Sequence, residues 1–159
     1  MKRTFNIIIG LAALVFATVS CQKENSAYKT LDSIVVGEWH LAGAKAEGES
    51  IMKDIDIYLC INADSTFELY QKSGTQGTRY DLYTGTCSTQ NGVLTGVYSN
   101  GKPWGGKYTY AKTIDGMLLK TTNNLEEQKY RSCQIPAEIR ENANFINTKS
   151  ASTAGSPIL

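Results

Sequence analysis

A single histidine, His40, in 159 residues leaves little material for chemistry that needs an imidazole held by a partner. Nucleophilic sets of the Ser–His–Asp and Cys–His type both require one. His40 alternates with Trp39 and Leu41, so its side chain is expected on the outer face of a strand. Metal chemistry is equally short of ligands, because none of the four cysteines has the spacing of a known metal or redox motif. Asp54 and Asp56 stand two apart at the edge of a loop and read as solvated carboxylates, not as an acid–base pair. Charge of one sign is missing as well. Sixteen Lys and Arg oppose fifteen Asp and Glu without a basic block, which argues against nucleic acid as a partner. No catalytic residue, metal or cofactor is expected, and the protein reads as a non-enzyme.

What is present is period two. Alternating runs near residues 36–42, 55–62, 66–72, 79–88, 93–99, 107–112, 117–122 and 128–134 predict eight short strands. Asn91-Gly92, Asn100-Gly101 and Asp115-Gly116 supply turn chemistry between them. The fold class expected is all-β: a small eight-stranded antiparallel up-and-down barrel, closed so that no edge is exposed. A short C-terminal helix follows Ile135-Pro136, near 137–143. Alternate connections are short, so one end of the barrel is tight. The other is loose, with 43–54 the longest loop.

The alternation places Trp39, Leu41, Ile57, Leu59, Ile61, Phe67, Leu69, Tyr83, Cys87, Leu94, Tyr98, Tyr108, Tyr110, Met117, Leu119 and Tyr130 inside. Gly85 and Gly96 share that phase and would let strands bend at barrel corners. Tyr58, Tyr70 and Tyr80 fall outside as cross-strand pairs. Cys60, Cys87 and Cys133 lie on strands that do not neighbour one another, so no structural disulfide is expected. At the loose end, Lys102-Pro103-Trp104-Gly105-Gly106 carries a Trp flanked by glycines. It can stack on a planar ligand or fold in as a lid on the core.

The N-terminus carries Lys2 and Arg3, an apolar run over 5–19, and Ser20 before Cys21. This is the pattern of a secretory signal, too short for a good membrane span. Thr18-Val19-Ser20-Cys21 resembles the lipobox of bacterial lipoproteins, which implies removal of residues 1–20 and acylation of Cys21 as a membrane anchor. Loss of the two cations would turn the net charge of +1 into −1. Gln22-Lys23-Glu24-Asn25 resembles an export signal for the outer surface and reads equally as a plain linker. The resemblance implies an outer-membrane location, with the body facing the periplasm or the cell surface.

Gly37-Glu38-Trp39 on the first strand, eight meandering strands, Arg131 on the last and a helix after it together resemble the lipocalin (calycin) pattern. Residues 64–70, 94–101 and Pro103-Trp104 are similar to the short lipocalin-like domains of bacterial lipoproteins. The resemblance implies that Gly37 and Trp39 close one end, with Arg131 packed across the indole. The division expected is signal 1–20, acylated Cys21 and tether 21–33, barrel and helix 34–146, and disordered tail 147–159. The function expected is binding of a small hydrophobic or amphipathic molecule in an open mouth, through Trp104, Tyr98, Tyr108 and Tyr83. The alternative is an envelope protein-interaction or inhibitor module that uses the barrel as a scaffold.

Overall fold

The computed structural model describes residues 31–52, 55–73, 79–146 and 156–159. The expected signal and Cys21 lie outside the described residues, as does Asp54. Ten strands and one helix follow in chain order: β1 (Gly37–Ala46), β2 (Glu49–Ser50), β3 (Ile55–Ile61), β4 (Thr66–Ser73), β5 (Asp81–Gln90), β6 (Val93–Tyr98), β7 (Tyr108–Lys112), β8 (Gly116–Thr121), β9 (Glu126–Ser132), α1 (Ala137–Asn142) and β10 (Asn144–Phe145). Leaving aside the short β2 and β10, each strand pairs antiparallel with the next. β1 pairs with β9, and the eight long strands close into a barrel.

Closure follows from which residues face one another. Trp39 pairs with Leu59, Leu59 with Leu69 and Leu69 with Tyr83, while Tyr130 stands between Leu41 and Met117. The inward set is therefore continuous around the cylinder, and a slip of one residue would turn it to water. Every member of the inward set is buried except Tyr110, which is half-buried at the rim. Beyond the expected end of the first strand, β1 bulges between Leu41 and Gly43 and forms a hairpin with β2, so the long loop is partly strand. Glu47 (φ 51°) and Gly48 (φ 87°) make that turn.

The tight end is stoppered. The Trp39 Nε1–H donates to the Val35 carbonyl at 3.0 Å, and Tyr110 Oη donates to Asp32 at 3.1 Å. Leu31 and Val35 are buried in the core. Residues 31–33, expected in the tether, thus belong to the folded body. Gly37 adopts φ 148°, and a Cβ there would stand 3.2 Å from the Trp39 ring, so both its backbone and its lack of a side chain suit the stopper.

Arg131 does not cover Trp39. It pairs across the sheet with His40, whereas Trp39 faces Ser132. That parity sends the guanidinium outward, where it is 69% exposed and 3.4 Å from Asp115. The cation that does pack on a ring is Arg140 of α1, 5.8 Å from the centre of Tyr70. Its guanidinium bridges Glu38 (2.9 Å) and Glu68 (2.8 Å), and Tyr70 Oη donates to Glu68 at 2.8 Å. Glu38 also accepts the Ile135 N–H at 2.6 Å. With Cys60, Ile135 and Ile139 beneath it, this network pins α1 to the outer face of β3 and β4. Tyr70 points outward as expected, but the helix buries it.

After α1 the chain returns to the barrel. β5 extends past the end of β6, and β10 fills that gap by pairing parallel with Asp81 and Leu82. Cys60, Cys87 and Cys133 are free thiols.

Candidate binding site

The loose end holds the aromatic residues singled out from the sequence, but as walls of a filled interior. Trp104 is only 5% exposed, and Tyr83, Tyr98 and Tyr108 are buried with it. The Trp104 N–H donates to the Gly96 carbonyl at 2.9 Å, which turns the indole inward. The ring meets Phe67 edge-on at 5.1 Å and Tyr108 at 6.1 Å. It occupies the space that a side chain on Gly96 would need, since a Cβ there would fall 2.2 Å from the indole. Gly96 is therefore small to admit the ring, not to bend a corner. Of the two readings open for Trp104, the lid on the core is the observed one.

The open mouth expected from the loop lengths is occupied by residues 156–159. Ser156 is exposed, Pro157 and Ile158 are half-buried, and Leu159 is 2% exposed within the core, so the segment descends into the barrel. The disordered tail expected there is corrected for these four residues, while 147–155 lie outside the described residues. Four inward side chains converge on the segment. Gln71 on β4, Tyr98 on β6, Tyr108 on β7 and Gln128 on β9 all bond to its main chain. Gln71 and Gln128 lie one inward step beyond the apolar stretches of their strands, so sequence alternation alone places them inside. The preference for apolar interior candidates hid them.

The lining is neutral. Among the described residues, the buried polar side chains are Gln71, Thr121 and Gln128, with no Asp, Glu, Lys, Arg or His among them. Burial pushes the Tyr108 hydroxyl up to about 12 and raises Tyr98 and Tyr130 as well, so all three phenols stay protonated donors at neutral pH. One further donor is unused: Trp104 Nε1 is buried and has no hydrogen-bond partner. A buried N–H without an acceptor costs about 1–3 kcal/mol.

The other sequence candidates lie elsewhere. His40 is on the outer face, as expected, with its Nε2 2.8 Å from Asp56 and its ring stacked 4.4 Å over Tyr58. Tyr80 Oη donates to the second Asp56 oxygen. This cluster stands on the outer face of the barrel wall, at the level of the mouth, because Asp56 and Tyr80 adjoin Ile57 and Asp81, the two residues that pair with Gln71. Among the described residues, no group of His, Cys, Asp or Glu could hold a metal ion, and no helix is long and apolar enough to cross a membrane.

No family model matches the chain, and no curated protein or solved structure is significantly similar to it.

Proposed function

We propose that this chain is a binding protein of the bacterial envelope, anchored through acylated Cys21, whose barrel mouth takes up a small amphipathic molecule. The observation that carries this reading is that Gln71, Tyr98, Tyr108 and Gln128, from four strands, all bond to the main chain of one short segment, residues 156–159, in the barrel mouth. Ligand sites combine a mostly apolar wall with a few aimed polar groups, and this mouth has both. The wall is aromatic and aliphatic, and the polar groups are neutral. A suitable ligand therefore presents an apolar body and uncharged or weakly charged oxygens. Binding would move residues 156–159 aside. Among the described residues the buried polar side chains are Gln71, Thr121 and Gln128, which supports a carrier or sensor.

The likeness to lipocalin-like lipoproteins supports the same reading, through the Gly37–Trp39 stopper and the opposite, chemically furnished mouth. Native mass spectrometry of protein purified without refolding tests it. A retained small molecule, or uptake of a long-chain alcohol that is lost in Gln71→Ala, is the expected result. A bare chain that takes up no long-chain alcohol would contradict it. The mass of the N-terminal peptide reports acylation of Cys21 separately, and proteolysis of intact cells reports whether the body faces the periplasm or the outside.

A further inference from the structure

Residues 156–159 are held chiefly through their backbone. Gln71 donates from Nε2 to the Ser156 carbonyl at 3.1 Å and accepts the Ile158 N–H at Oε1 at 3.0 Å. Tyr108 Oη and Gln128 Nε2 donate to the Ile158 carbonyl at 3.4 and 3.5 Å. Tyr98 Oη donates to a main-chain oxygen of Leu159 at 2.6 Å. The two Gln71 bonds reach a C=O and an N–H on residues two apart, the pair that a residue of a neighbouring parallel strand would satisfy. Between them stands Pro157, which has no N–H to leave unpaired. Main-chain bonds supply affinity in this kind of recognition, and pockets for side chains supply selectivity. Here the buried Leu159 is the anchor, Ile158 is half-buried and Ser156 faces solvent.

A hydrocarbon chain could use the apolar wall but would not replace the bonds that these amide and hydroxyl groups make to the segment, at a cost for each bond lost. An extended peptide satisfies them. We infer that the ligand class of this mouth is a short extended peptide of the pattern x-Pro-aliphatic-Leu, read through its backbone, and that residues 156–159 are a resident copy competing with any such peptide from outside. The inference rests on the mouth being the ligand site and narrows what enters it. The covalent link makes the resident copy an intramolecular competitor, with an effective concentration of order millimolar. A peptide with a dissociation constant near 0.1 mM in the cleared mouth would therefore bind the native chain about tenfold more weakly.

The test uses the full-length chain, with and without Leu159→Asp, a substitution that puts a charge at the buried anchor and expels the segment. Fluorescently labelled acetyl-Ser-Pro-Ile-Leu is titrated against both, beside an analogue N-methylated at the Ile amide and beside a long-chain alcohol. The peptide is expected to bind Leu159→Asp about tenfold more tightly than the native chain. The N-methyl analogue is expected to bind about tenfold more weakly than the parent, and Gln71→Leu to reproduce that loss. Equal binding of parent and N-methyl peptides overturns backbone reading. Alcohol binding without peptide binding overturns this inference and leaves the amphipathic-ligand reading standing, whereas absence of both overturns the two together. If Leu159→Asp fails to fold, the native chain decides: millimolar peptide displaces the segment from Tyr98, or the inference is wrong.

Discussion

Replacing Gly96 by Ala should cost about as much as a damaged core, although it adds one methyl group. The new Cβ would lie 2.2 Å from Cε2 of Trp104 and 2.6 Å from Cδ2 and Cζ2, far inside van der Waals contact. The indole cannot slide away, because its backbone is tied to Gly96 and its ring is wedged against Phe67 and Tyr108. Overpacking of this kind costs about 1–3 kcal/mol, and loss of a buried Trp about 3–5 kcal/mol. Gly96→Ala is therefore expected to destabilise by about 3 kcal/mol and Trp104→Ala by about 4 kcal/mol. The double variant should cost little more than Trp104→Ala alone, since the added methyl then occupies space the ring has left. Urea unfolding followed by circular dichroism gives the three values, and an unchanged m-value ensures that stability is compared. Additive costs, or a Gly96→Ala penalty below about 0.5 kcal/mol, would refute the placement of the indole.

The two arginines that compete for a structural role should separate cleanly. Arg131→Ala is expected to change stability by less than about 0.5 kcal/mol because its pair with Asp115 is exposed. Arg140→Ala strips two partly buried carboxylates of their partner, and a loss of about 2 kcal/mol is expected in the same unfolding assay. Alkaline stability follows from burial of acidic side chains in their neutral form. Burial raises the Cys87 thiol from 9.0 to about 12, and the Tyr70 and Tyr108 hydroxyls from 10.0 to about 12. Below pH 9 both folded and unfolded chains keep these protons; between 9 and 12 only the folded chain does. Stability should hold to about pH 8 and fall by about pH 11, read as a drop in the urea midpoint, and a flat profile would contradict the burial. Thiol labelling mapped by mass spectrometry should mark the half-exposed Cys133 before the buried Cys60 and Cys87, which are expected to react only on unfolding.

The barrel was legible in the sequence because two signals agreed: strict alternation of apolar side chains, and turn residues at the short connections. Where phase alone decided, as for Trp39, Leu69 or Tyr130, the inward assignment held. Arg131 went astray for a physical reason. The family likeness brought it to Trp39, but its parity on β9 matches His40, and parity sets the face. Gly96 was read through backbone freedom when its use is space for Trp104, a contact made across a loop that no local pattern encodes. Burial of Tyr70 depends on where α1 docks, which Ile139 and Arg140 settle only in three dimensions. Residues 156–159 were missed because small polar residues precede them. The apolar pair Ile158-Leu159 after Pro157 was the available signal, and it needed the inward Gln71 and Gln128 to be recognised as its counterpart.

The barrel mouth, proposed as the ligand site, is occupied by residues 156–159 of the chain itself. Nuclear Overhauser contacts between the Leu159 methyls and the Tyr98 and Tyr108 rings report that occupancy directly. They are expected in the free protein and should disappear as a ligand or the competing peptide binds with accompanying shifts at the Trp104 indole N–H. Contacts that persist unchanged with a ligand bound, or that are absent from the start, would contradict it.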